Sequence, residues 1–429
     1  MVKLQQRFKI EAKYNITEAM HSVQLKYGKA EIHLDLADAT RVLTINEPAS
    51  VVDPETFGVD LTFQLGRLKP VLDDVAVVVA DKTRLCAYRE YLPVLVRVLK
   101  AGGAEKRNIT FYVAYGTHPR QSDAESRAAY GAVYDDCRFI HHDCDGSTLF
   151  NSQGQTSRDT PILVRKDILK AGFIITFGAV THHYFAGYGG GRKLLFPGLG
   201  ARPAIYHNHG LFLDKETGRL AANCEPGQLQ GNPLAEDIEA VVAARPADLA
   251  IHGLLDSHGK VCQLITGAGE IPFQKACRQQ GLNCEIQHDR AYDLVIASCG
   301  GYPKDINFIQ SHKAVHNAAK FVKDGGRLIV LARCPDGIGS DTFLPWFELG
   351  GYRAAFERLA RDYAGNGGTA LSMMEKARRI DINLVTELPD EAVRLMGATR
   401  LTGKAFGRAL QGFYGSVGVI PNASMLVKI

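Results

Sequence analysis

A series of apolar, β-branched runs, each closed by a polar tip, decides what this chain can become. The runs are VAVVVA at 75–80, ITFYVAY at 109–115, FIITF at 173–177, the stretch 249–254, LVIAS at 294–298 and LIVLA at 328–332. A strand apolar at successive positions has both faces covered, which is how parallel strands under flanking helices read. Between the runs lie helical patterns. Stretch 88–100 repeats its apolar residues at helical spacing and stops at Gly102-Gly103, and 235–244 and 306–322 read alike. The fold class expected is α/β, two domains, each a mainly parallel sheet with flanking helices. Before residue 70, KAEIHLDL and TRVLTINEP read as strands added antiparallel.

At 429 residues the chain is long enough for two or three domains. The helix-like EIPFQKACRQQGLNC ends just before YDLVIASCGG opens a new strand–loop–helix unit, so a boundary is expected near 285–290. This gives an N-terminal cofactor-binding domain over 1–287 and a smaller C-terminal domain over 288–415. The strand-like 416–429 is expected to return to the first domain. Ligands in open α/β sheets bind beyond the carboxyl ends of the strands, so an active site is expected in the cleft between the domains.

Composition removes several function classes. With 46% hydrophobic and 22% charged residues the chain is globular, not disordered. A net charge of +4 without a basic block argues against nucleic acid or a membrane surface as partner. No apolar run is long enough to span a bilayer, and the first twenty residues lack the apolar core of a secretory signal. Nine scattered cysteines without a CxxC pair predict reduced thiols and a cytoplasmic protein.

The strand tips hold the chemistry. Asp81-Lys82-Thr83-Arg84 follows the first run, Gly116-Thr117-His118 the second, Thr181-His182-His183 the third and Cys299-Gly300-Gly301 a later one. Any one of these reads as turn chemistry or a cap; an acid, a cation and histidines on one sheet edge read as a site. The densest stretch is THHYFAGYGGGRKLLFPG at 181–198, with glycine at 187, 189, 190 and 191. Such a segment lets backbone N–H groups approach an anion. It is not a P-loop, since Arg192 stands where that motif needs Gly and Leu194 follows the lysine, and it lacks the third glycine of a dinucleotide fingerprint. Lys193 sits beside Arg192; a neighbouring cation and burial lower an amine's pKa, and a neutral lysine can bond a carbonyl-type carbon. The plainer reading is a lysine that pairs with phosphate.

Further along, His207 and His209 are two residues apart on a helix, so at most one faces a given site. Gln310 and Lys313 are three apart and share a helical face suited to clamping a carboxylate. His312 and His316 have metal-compatible spacing without a third ligand nearby, and read as solvent-facing. Cys299 reads as a small buried filler. These residues leave open a cofactor-dependent enzyme, a non-catalytic nucleotide or phosphate binder using the Gly-rich loop, and a His-bound zinc hydrolase. The hydrolase would need three close ligands, and no HExxH is present.

The block HYFAGYGGGRKLLFPG, with Asn208-His209 following its lysine, resembles the nickel-pincer-nucleotide-dependent lactate racemase family. DKTR, GTH and QSHK occur in the same order, and the resemblance covers nearly the whole chain. It implies a racemase or epimerase of a 2-hydroxy acid, working by reversible hydride abstraction. The implied cofactor is nickel held by a pyridinium-3,5-bisthiocarboxylic acid mononucleotide tethered to Lys193, with His209 as the protein's nickel ligand. His118 and His183 would be the acid/base pair. Asp81, Thr83, Arg84, Gly190 and Gly191 would line the cofactor, and Arg84, Gln310 and Lys313 the substrate. Cofactor-biosynthesis machinery is the implied maturation partner. Ile309 stands before Gln310 where the lactate-type pattern carries an aromatic, which leaves the substrate at the level of a 2-hydroxy acid.

Overall fold

The computed structural model describes residues 6–9, 21–36, 40–48, 50–411 and 413–429. Most of the first twenty residues, inspected above for a secretory signal, lie outside them. The chain divides into two compact units.

One unit, Glu47–Phe212 with Ala221–Asn283, is built on a six-stranded sheet. Its order is Val261–Gly267, Leu249–Leu255, Phe173–Ala179, Val75–Ala80, Ile109–Ala114, Arg138–His141. All neighbours are parallel except the antiparallel edge strand Val261–Gly267. Val75–Ala80 and Ile109–Ala114 are buried at every position, which is why their sequences are apolar throughout. Helix Tyr88–Ala101 buries Leu92, Leu95 and Leu99 in the same core, and helix Pro54–Leu68 adds Phe57, Leu61 and Leu65. The chain leaves Val75–Ala80 in one direction, to Ile109–Ala114 and Arg138–His141, then returns to its other side with Phe173–Ala179. This reversal is the switch point at which a parallel sheet opens a crevice beyond its carboxyl ends.

The other unit gathers Met1–Asn46, Leu213–Leu220 and Cys284–Ile429. Its six-stranded sheet runs Thr399–Leu401, Asp381–Val385, Val322–Leu331, Tyr292–Ser298, Val417–Ile420, Arg41–Val42, all parallel. The partition differs from the expected domains in three places, the first being Leu213–Leu220, which lies within 1–287 but joins this unit. Val417–Ile420 pairs with Tyr292–Ser298, so 416–429 stays with the C-terminal unit. The described part of 1–46 joins the same unit, because Leu25, Ile32, Leu34 and Leu36 bury one face against Leu294, Ile296, Ile329 and Leu331. Of the two expected antiparallel additions, Ala30–Leu36 does pair antiparallel with His21–Tyr27. The other is corrected: Arg41–Val42 is a two-residue parallel edge strand beside Val417–Ile420.

His312 and His316 also need correction. Both are buried, since helix Phe308–Ala319 is covered around most of its circumference. All nine cysteines are free thiols, and Cys299 is fully buried. Among the described residues no helix is long and apolar enough to cross a membrane.

Candidate active site

The site grows from the carboxyl ends of three adjacent strands. Asp81 directly follows Val75–Ala80 and is 3% exposed. Its Oδ1 accepts the Thr83 N–H at 2.7 Å and the Thr83 hydroxyl at 2.6 Å, while Oδ2 meets His118 Nδ1 at 2.8 Å. Burial works to raise the Asp81 pKa, but the His118 imidazole, Arg84 and the Thr83 hydroxyl outweigh it and hold the carboxyl well below the usual range. An ionised Asp81 accepts a hydrogen bond from the Nδ1–H of His118, so the imidazole's Nε2 is the nitrogen left for chemistry. Arg84 has a buried Nε without a hydrogen-bond partner in the protein.

His118 sits on the turn after Ile109–Ala114. Its own N–H donates to Tyr115 O at 3.0 Å, and Gly116, at φ +56°, donates to Gly198 O at 2.8 Å. That contact ties the His118 turn to the end of the Gly-rich block.

The block itself leaves the end of Phe173–Ala179 as a short hairpin, Thr181–His183 against Gly187–Gly189. Gly190 follows at φ +75°, and a Cβ there would lie 2.1 Å from the Ala179 carbonyl oxygen, so only glycine lets the chain pass this close. The turn Gly191–Leu194 then carries Lys193, which is 7% exposed. Arg192 points elsewhere: it pairs with Glu239 at 2.8 Å and lies over the Phe273 ring at 5.4 Å. The Arg192 charge thus faces a carboxylate.

His209 comes from helix Arg202–Gly210. Next to it, Asn208 Nδ2 donates to the fully buried Asp237 at 2.8 Å and to Leu234 O at 3.2 Å, which fixes the helix's rotation. His207 points away and shares a 2.9 Å hydrogen bond with Thr160 Oγ1, as two-residue spacing requires. Burial, and after it the Lys193 charge, push the His209 pKa down to about 3, so its imidazole is neutral and a lone pair is available to a metal.

One cavity is lined by Asp81, Arg84, His118, His183, Gly190, Lys193 and His209, together with backbone of the three strand ends, and all of its lining belongs to this unit. Of the two adjacent histidines, His183 lines it, whereas His182 packs on Tyr188 with ring centroids 4.8 Å apart. Thr83 and Gly191 do not line it. Thr83 is engaged with Asp81, and a Cβ on Gly191 would meet Phe273 at 2.5 Å. Gln310 and Lys313 belong to the other unit, where they share a helical face and bond each other at 2.7 Å.

Two contributors escape a reading of motifs alone. Phe185 sits among the functional side chains, its centroid 4.5 Å from that of His183, 5.3 Å from that of His209 and 5.8 Å from Lys193 Nζ. The signal was an aromatic between the histidines and the glycines. The second is Gln121, a buried side chain that accepts the Lys82 N–H beside Asp81 and gives no signal in the sequence.

Family models for the lactate racemase N-terminal domain and the lactate racemase C-terminal domain match residues 27–220 and 287–359. A lactate racemase of Thermoanaerobacterium thermosaccharolyticum is 27% identical over 343 residues, covering 77% of this chain and 78% of its own. A lactate racemase of Lactiplantibacillus plantarum is 30% identical over 277 residues, covering 63% of this chain and 62% of its own. Among solved structures, the lactate racemase apoprotein of T. thermosaccharolyticum matches with a TM-score of 0.86 at 23% identity, over 95% of this chain and 100% of its own. A Thermotoga maritima protein matches with a TM-score of 0.68 at 16% identity, over 90% of this chain and 99% of its own. At these identities the two structures speak for the fold.

Proposed function

The chain belongs to the lactate racemase family, and on that premise we propose that it racemises or epimerises a 2-hydroxy acid with a nickel pincer nucleotide tethered to Lys193. The observation that carries the reading is the convergence of His118, His183, Arg84, Lys193 and His209 on one cavity.

The side chains present fit such a group. Among the described residues no three His, Cys, Asp or Glu side chains stand close enough to hold a metal ion, so a nickel ion bound here needs donors that the cofactor brings. His209 offers one neutral, half-buried imidazole, and Lys193 one buried amine for the tether. When bound, the group supplies an electrophilic ring carbon able to hold a hydride.

The chain's own residues do the rest. The C–H of a 2-hydroxy acid is barely acidic, whereas its hydroxyl proton is within reach of an imidazole when the C–H leaves as hydride. The two enantiomers present that hydroxyl differently, so a base is needed for each. His118, aimed by Asp81, serves one, and His183, wedged against Phe185, serves the other. Arg84, whose Nε has no protein partner, would bind the substrate carboxylate and hold the planar keto acid in place. Asp81 stays ionised and stabilises each imidazolium formed at His118.

The experiment is a chiral assay on protein purified from a host that makes the cofactor, with His118→Asn and His183→Asn beside it. Interconversion of a 2-hydroxy acid's enantiomers, lost in both variants, supports the proposal. Absence of interconversion across a panel of 2-hydroxy acids, with the Lys193 adduct present, defeats it.

A further inference from the structure

Asp81 and His118 arrive at the cavity on separate loops, after neighbouring strands. Their 2.8 Å contact therefore depends on what fixes the spacing of those loops. One buried side chain touches both. Gln121 is 2% exposed. Its Oε1 accepts the Lys82 N–H at 2.8 Å, next to Asp81, and its Nε2 donates to Ser126 Oγ at 3.0 Å, inside helix Asp123–Tyr130. Its backbone N–H donates to the Tyr115 hydroxyl at 3.3 Å, closing the 115–121 segment that carries His118 on itself.

The rest of the network fixes the amide's orientation. Ser126 Oγ gives its proton to Ser122 O at 2.9 Å, so it can only accept from Gln121, and the Gln121 oxygen must face Lys82. The Tyr115 hydroxyl, in turn, donates to His141 Nδ1 at 2.7 Å; His141 Nε2 lies 3.0 Å from the Tyr134 hydroxyl, which donates to Asp123 at 2.9 Å. Each donor in this string has its acceptor. Lys82 adds a second tie to the same helix through its ion pair with Glu125, a member of the capping box.

We propose that Gln121 is a positioning residue for the acid/base pair: its side-chain amide clamps the Asp81 loop to the His118 loop and sets the Asp81–His118 hydrogen bond. The inference rests on the proposed role of His118, but the clamp is a geometric claim with its own readout. Gln121→Met keeps the side chain's length and removes both hydrogen bonds. Ser122→Ala is the control: it weakens the cap of the same helix and leaves the Gln121 amide contacts in place.

The first measurement is the downfield Nδ1 proton resonance of His118 in protein without cofactor, assigned by its disappearance in His118→Asn. The clamp predicts that this resonance broadens or vanishes in Gln121→Met and persists in Ser122→Ala. The second is turnover of the loaded enzyme. It should fall roughly 10- to 100-fold in Gln121→Met, the scale of a misplaced acid/base group, with nickel content and the Lys193 adduct unchanged, while Ser122→Ala keeps its kcat. A Gln121→Met protein that retains the His118 resonance overturns the proposal, and so does one that loses the resonance no more than Ser122→Ala does. Because the resonance needs no turnover, a wild-type enzyme without racemase activity would refute the functional reading and leave the clamp to be judged on the spectrum.

Discussion

Replacing Gly190 by alanine tests whether the Gly-rich block is a machined support for Lys193 or a loose loop. Gly190 lies at φ +75°, ψ −164°, a region populated essentially by glycine alone, where another residue costs about 1–3 kcal/mol. Sterics add to this. The new Cβ would sit 2.1 Å from the Ala179 oxygen, whereas carbon–oxygen contacts settle near about 3.3 Å. Ala179 ends a central strand of the sheet and cannot retreat, so the loop must move by about 1 Å. Lys193, three residues on, moves with it. Together the terms reach about 3 kcal/mol or more, which for a unit of this size lowers Tm by about 6–12 °C. A displacement of about 1 Å at a reacting centre costs on the order of a hundredfold in rate. Gly259→Ala is the matched comparison: φ is +80°, but no atom lies within 4 Å of its Cβ, so it carries the backbone penalty alone, about 1 kcal/mol. Thermal unfolding and chiral turnover of the two variants side by side decide the matter. If Gly190→Ala is as mild as Gly259→Ala in both assays, the tight passage under Ala179 does not position Lys193 and the reasoning fails.

Other outcomes follow from the same geometry. On the proposed tether, intact-mass spectrometry of the loaded protein reads a covalent adduct that Lys193→Ala abolishes, whereas His209→Ala keeps the adduct and lowers nickel content by metal analysis. Asp81→Asn preserves shape but removes the anion behind His118, and turnover falls by about 10²- to 10⁴-fold with little change in fold by circular dichroism. Burial pushes His142 and His252 each down from 6.5 to about 4. The unfolded chain therefore binds protons there first as pH drops, and stability is lost between about pH 6.5 and 4, by about 3 kcal/mol per histidine, and is flat above pH 7.5; Tm measured from pH 8 to 4 checks this.

Much of the fold could be read from unbroken apolar runs, because a strand buried on both faces leaves no polar position to disguise it. VAVVVA and LVIAS are such strands, and both lie in sheet interiors. The chain's N-terminal part was harder. TRVLTINEP is mostly irregular with two paired residues, and nothing local tells whether Arg41–Val42 pairs parallel or which sheet it joins. VGVIP shows a strand but not its partner, since partner choice is a long-range packing outcome. In the site, strand-tip position alone exposed Asp81, His118 and His183. The direction of Arg192, toward Glu239, was invisible, because the side of a tight turn on which a long side chain leaves depends on a carboxylate distant in sequence. Gln121 was invisible for the same reason: a lone glutamine before a helix carries no pattern, and its three hydrogen-bond partners lie on three different segments. His312 and His316 misled because charge-bearing residue types suggest solvent, yet their helix is enclosed.

The proposed reaction is one in which the substrate's C2 hydrogen leaves and returns as hydride while imidazoles move only the hydroxyl proton. It is tested most directly by incubating the loaded enzyme with one enantiomer of a 2-hydroxy acid in D2O and following both chirality and isotope at C2. Racemisation with protium retained at C2 is the result predicted; deuterium appearing at C2 in step with racemisation would contradict it.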